Sequence, residues 1–166
     1  TLGVLEQAIA EIDGVLDALR APEYRNLFDP SRVAIGGMSA GGMITLRRLC
    51  DPHPFRCASV EGTTGWLEGL YFPERARAVL GPNTPLHTWS ATHPPDAVAR
   101  LDTLAHIDSF RPIPLLALHS QADRIVPFAV QSHFIDSLRA HYRSRNADAA
   151  QIQLRSWAHT GASDEH

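Results

Sequence analysis

The chain has 166 residues, 15 basic and 18 acidic side chains, and a formal net charge of −3. Every basic residue is arginine, so a lysine Schiff base, a Ser-Lys dyad and a phosphate-gripping P-loop lysine are excluded, and the acidic balance argues against a nucleic-acid partner. With 44% hydrophobic residues the composition is globular, and no apolar run approaches the roughly 20 residues needed to span a bilayer.

Leu2, Leu5, Ile9, Ile12, Leu16 and Leu19 recur at spacings of three and four and predict an amphipathic helix, which Pro22 ends. Arg32 to Gly36 is a short strand introduced by Asp29-Pro30-Ser31. After a glycine-rich turn, Met43, Ile44 and Leu46 to Leu49 suggest a buried helix. Arg56 to Val60 reads as the next strand. The stretch from 62 to 95 mixes glycine, proline and aromatics, and is expected to be irregular and lid-like. Asp96 to Ile107 is expected to be helical, and Pro114 to His119 is a near-continuous apolar strand. Phe128 to Tyr142 predicts a helix with Val130, Phe134 and Leu138 four apart, and Ile152 to Trp157 a closing strand. Strands alternating with helices imply one α/β domain over residues 1–166, a three-layer α/β/α arrangement around a mostly parallel sheet.

The strongest chemical signal is Gly36-Gly37-Met38-Ser39-Ala40-Gly41-Gly42, between a strand and a helix. It contains Gly37-x-Ser39-x-Gly41, the spacing of a sharp turn that lifts a nucleophilic hydroxyl above the carboxyl ends of the strands. Such a turn strains the backbone, and neighbours without side chains relieve the crowding. It also puts the Ala40 N–H at a helix N-terminus, where it could serve as an oxyanion donor. The rival use of such glycines is dinucleotide binding, with Glu61 as a ribose-binding acid, but positions 36, 37, 41 and 42 do not keep the Gly-x-Gly-x-x-Gly register.

A serine nucleophile needs a base, and the base needs an orienting carboxylate. Asp123 follows the apolar strand in Ser120-Gln121-Ala122-Asp123-Arg124-Ile125-Val126-Pro127 and is the natural acid. Two histidines lie beyond the last strand. His159 comes two residues after Trp157, and His166 lies past the Thr160-Gly161-Ala162-Ser163 turn. The longer reach favours His166 as the base, with His159 as the alternative.

This order of Ser39 elbow, Asp123 loop and late histidine resembles the α/β-hydrolase superfamily. Within it the chain is similar to dienelactone-hydrolase and prolyl-oligopeptidase-like esterases, whose acid loop commonly reads His-Gly-x-x-Asp-x-x-Val-Pro. Ser120 stands here in place of that glycine. The elbow carries serine, so the cysteine chemistry of dienelactone hydrolases proper is not implied. The resemblance implies a serine esterase that cleaves small carboxylic esters through an acyl-enzyme. It also implies that the chain holds the C-terminal portion of the fold, with the early strands and their oxyanion donor lacking a counterpart. A non-catalytic fragment of the hydrolase fold is therefore the alternative reading, with a nucleotide-binding α/β domain behind it.

Met38, Glu61 and Trp66 are candidates to line the substrate pocket. Tyr71, Phe72 and Trp89 share the irregular stretch, which in the superfamily resembles a lid or acyl-pocket wall. The remaining histidines show no metal-binding spacing, so neither a metal nor a cofactor is expected. Cys50 and Cys57 make no disulfide framework, and the default setting is reduced and cytoplasmic. No nucleic-acid or membrane partner is expected, and a homodimer is left open.

Overall fold

The structure is a computed structural model that describes residues 2–24, 26–89 and 92–160. The first helix, α1 (Leu2–Leu19), buries Leu2, Leu5 and Leu16 and leaves Val4 and Val15 exposed, as its stripe predicts. Its Asp13 meets the buried Arg48 at 2.5 Å and its Glu6 meets Arg100 at 2.9 Å. Strand β1 (Ala34–Met38) then leads through Ser39 into α2 (Ala40–Arg48). Strand β2 (Cys57–Glu61) is followed by α3 (Leu67–Tyr71), α4 (Pro73–Leu80) and α5 (Pro95–Leu101). Strand β3 (Leu115–Ser120), α6 (Phe128–Ser144) and β4 (Ile152–Trp157) complete the order.

The four strands pair in the order β1-β2-β3-β4, and every pairing is parallel. That monotonic order has a consequence. Right-handed crossovers that always step in one direction put their helices on the same face of the sheet. The burial of the strands follows this rule. Ala58, Val60, Leu115, Ala117 and Ile152 are buried on one face, against a core that includes Leu46, Leu49, Phe134, Ile135 and Leu138. On the other face Cys57, Ser59, Glu61, Gln153, Arg155 and Trp157 are exposed. The described residues thus build the parallel sheet with a helical layer on one of its faces.

The boundaries depart from the sequence expectation in three places. The first strand runs two residues further, so Gly36, Gly37 and Met38 are strand residues and the turn narrows to Ser39. The stretch 62–95 holds two short helices, the second opened by Pro73 at its first position, where a missing N–H costs nothing. The helix expected to reach Ile107 stops at Leu101. The buried Asp102 carboxylate accepts N–H bonds from Leu104 (2.8 Å) and Ala105 (3.3 Å), and redirects the chain into a 3₁₀ turn over Leu104–Ser109. The same carboxylate accepts the Glu68 N–H at 2.7 Å and so ties α3 to this corner. Burial pushes the Asp102 pKa up to about 6, against the pull of those three N–H groups. Among the described residues no helix is long and apolar enough to cross a membrane.

Candidate active site

Ser39 sits at φ 51°, ψ −121°, a left-handed conformation for a residue with a side chain. Holding it there costs of order 1–3 kcal/mol, which the surroundings must supply. Its N–H donates to the Glu61 carbonyl at 2.9 Å, across from the end of β2. Its own carbonyl accepts from the Met43 N–H at 3.1 Å and the Thr63 hydroxyl at 2.8 Å.

The glycines around it differ in what they do. A Cβ on Gly37 would lie 2.4 Å from the Gly41 backbone, and one on Gly42 would lie 2.5 Å from the Thr63 side chain. A Cβ on Gly36 would lie 2.8 Å from the Ser59 carbonyl oxygen. A Cβ on Gly41 would meet nothing within 4 Å. So three glycines admit neighbouring parts of the protein itself, and only Gly41 faces open space. Phosphate cradles need glycines that leave room for a ligand, and this cluster closes on its own chain. Helix α2 begins at Ala40, and the first N–H groups of a helix find no carbonyl within it.

Beside Ser39 lies a cavity of about 370 Å³, walled by Leu2, Leu5, Met43, Tyr71, Trp89, His93, Ile125 and Val126. Its aromatic side is a packed cluster, with Tyr71 centred 5.2 Å from Trp89 and 4.6 Å from His93. The Trp89 indole N–H is anchored on the Leu70 carbonyl at 3.0 Å. No carboxylate or guanidinium lines this space among the described residues, which makes it suited to a neutral, apolar group.

The acid loop joins β3 to α6, two strands along the sheet from Ser39, about 10 Å at normal strand spacing. Asp123 is buried. Its Oδ1 accepts the N–H groups of Ile125 and Val126, both at 2.8 Å. His119, at the end of β3, approaches Oδ2 with its Nε2 at 3.4 Å. Asp123 also lines a larger open cavity, about 590 Å³, with His87, Thr88, Gln121 and Arg124.

The structure therefore brings Ser39, Ala40 and Asp123 to the carboxyl edge of one sheet. His159 follows β4 at that same edge and is exposed, whereas His166 lies outside the described residues. The three pocket candidates do not line the Ser39 cavity. Met38 and Glu61 are exposed and pair in register at the end of β1 and β2, and Trp66 is a core residue packed on His133 at 4.5 Å. Tyr71 and Trp89 form the wall instead. Sequence reasoning gives no individual role to Thr63 or to His119, although His119 occupies the histidine position of the acid-loop pattern. The signal for His119 was present as a histidine at a strand end, four residues before the acid.

The family model for the prolyl oligopeptidase family matches residues 6–166. The chain belongs to the prolyl oligopeptidase family. Its fold is shared with a Pyrococcus horikoshii acylaminoacyl peptidase, at 18% identity and a TM-score of 0.62 over 88% of this chain and 22% of that one. A Mycobacterium tuberculosis puromycin-hydrolyzing peptidase matches at 20% identity and a TM-score of 0.60, over 90% of this chain and 21% of that one. An acetyl ester-xyloside bifunctional hydrolase from Caldicellulosiruptor lactoaceticus matches at 16% identity and a TM-score of 0.58, over 92% and 55% respectively. No curated protein matches the sequence. The chain thus spans about a fifth of the length of the two peptidases. The α/β-hydrolase fold and the family are thereby settled.

Proposed function

We propose that this region belongs to a serine hydrolase that cleaves carboxylic esters through an acyl-enzyme. The observation that carries the reading is Ser39 held at positive φ between β1 and α2, beside an apolar cavity. In the proposed cycle Ser39 Oγ attacks the ester carbonyl while the base, His166, takes its proton. Asp123 orients the imidazole and stabilises its cation, and the Ala40 N–H steadies the oxyanion. Collapse expels the alcohol, which leaves with the proton from the imidazolium; water, deprotonated by the same imidazole, then attacks the acyl-enzyme, and the acid is released as Ser39 Oγ leaves and takes the proton back.

The test uses the full-length protein that contains these residues. A fluorophosphonate should label it at Ser39, and Ser39→Ala should lose both labelling and turnover of a short-chain ester. Undiminished labelling in Ser39→Ala overturns the assignment. His159→Ala and His166→Ala, assayed separately, identify the base: loss with His159→Ala alone would reject His166. Family membership favours a second reading, amide cleavage by the same acyl-enzyme, and matched ester and anilide substrates separate the two.

A further inference from the structure

The acid loop contains a closed ring of polar contacts. His119 Nε2 lies 2.8 Å from the Val126 carbonyl oxygen. A carbonyl can only accept, so Nε2 carries the proton and donates it there. The Val126 N–H in turn donates to Asp123 Oδ1 at 2.8 Å. Asp123 Oδ2 closes the ring, with the His119 N–H 3.4 Å away. That last distance is too long for a strong hydrogen bond, yet both side chains are fully buried, where the positive end of an N–H dipole acts on a carboxylate with little screening. The ring plane of His119 is held from the other side by Phe128, with centroids 5.8 Å apart.

We propose that His119 is a positioning residue for the acid: its Nε2–H pins the Val126 carbonyl and faces Oδ2, fixing the carboxylate in the orientation from which it holds the catalytic base. The inference rests on the triad proposed above. A carboxylate free to rotate about its last two torsions would still be charged, but it would present its lone pairs to the base only part of the time. Two backbone N–H groups fix Oδ1. His119 supplies the constraint on the far side of the ring, through the same residue, Val126, that also walls the Ser39 cavity.

The experiment compares His119→Leu, His119→Asn and His119→Gln with wild type and Ser39→Ala in the full-length protein, measuring kcat, KM and melting temperature. Glutamine places an amide N–H where Nε2 sits, whereas the asparagine amide stops one atom short. Loss of the partner that orients a metal-bound histidine or carboxylate typically costs 10–100-fold, and an orienting contact behind the triad acid is expected to fall in the same range. Hence kcat should fall roughly 10–100-fold in the Leu and Asn variants, KM should stay within about threefold, and Gln should recover most of the rate. Wild-type kcat in the Leu and Asn variants overturns the proposal. So does a loss confined to KM, or a fall in all three variants that tracks their melting temperatures, Gln included. If His119→Leu does not fold, the Asn–Gln difference decides alone. Should Ser39→Ala retain turnover, the hydrolase reading fails and this inference with it. A dead Ser39→Ala beside fully active His119 variants rejects the inference only.

Discussion

The two turns that build the candidate site are held by different forces. The Ser39 elbow is fixed by close approach: Gly37 lies on the Gly41 backbone and Gly42 under Thr63, and no side chain caps α2. The Asp123 loop is fixed by polar contacts, with one carboxylate gathering two N–H groups and a histidine. A sterically closed turn tolerates strain at Ser39 because its neighbours have nowhere to go. A polar turn can hold a charge out of water when donors and positive dipole ends face it. The difference predicts that the elbow fails when volume is added, and the acid loop when charge or donors are removed.

The largest effect should come from the polar side. Asp123→Asn keeps the shape but offers one oxygen and an NH₂ where two oxygens accepted, and it removes the charge facing the base. In the full-length enzyme kcat should drop about 10⁴-fold, as expected when a triad acid is made neutral. A drop of less than tenfold would mean that another carboxylate orients the base.

Next in size is a contrast within the elbow. Gly37→Ala drives a Cβ into rigid backbone at 2.4 Å and should cost about 3 kcal/mol, the upper end of overpacking. Gly41→Ala places its methyl in open space near the start of a helix and should be neutral or stabilising by up to about 1 kcal/mol. Thermal unfolding of the two variants checks the pair. Equal losses would show that the elbow is not closed by Gly37 alone.

This contrast also shows what could be read from the sequence. The Gly37-x-Ser39-x-Gly41 spacing located the turn because its chemistry is local, but spacing treats both glycines alike. Only the path of α2 back over β1 distinguishes them. The position of Asp123 at the carboxyl edge of the sheet was legible for the same local reason, a polar loop after an apolar strand. The wall of Tyr71 and Trp89 was not separable from Trp66, because which aromatic faces the cavity depends on two short helices with too few turns to show periodicity. The one-sided helical layer follows from strand order, which no single segment encodes.

Asp102 extends the comparison to a second buried carboxylate held by backbone N–H groups. Its pKa is raised from 3.8 to about 6, chiefly by burial. A raised folded-state pKa means that the folded chain binds the proton more tightly than the unfolded one. The resulting stability is present below about pH 4 and lost as pH rises through about 6. The advantage of wild type over Asp102→Asn in urea unfolding should therefore shrink between pH 4 and 7, by on the order of 2 kcal/mol. An advantage that grows with pH would mean that the three N–H bonds outweigh desolvation.

The smallest effect should fall on the side-chain hydrogen bond from Thr63 to the Ser39 carbonyl. Thr63→Val is close to isosteric and removes the hydroxyl that donates to the Ser39 carbonyl. That carbonyl still accepts the Met43 N–H, so no buried acceptor is left without a donor, and the cost should be about 1 kcal/mol. For a chain of this size that lowers the melting temperature by roughly 2–4 °C. Turnover should stay within about fivefold of wild type, because the methyl groups of valine keep the volume that presses on Gly42. Thr63→Ser tests the converse: it retains the bond and loses the methyl that lies closest to Gly42. If serine is the more damaging of the two, packing governs the elbow, as its glycines indicate. If valine is worse by several kcal/mol, the bond to the Ser39 carbonyl is what keeps the serine at positive φ, and the two turns are held alike.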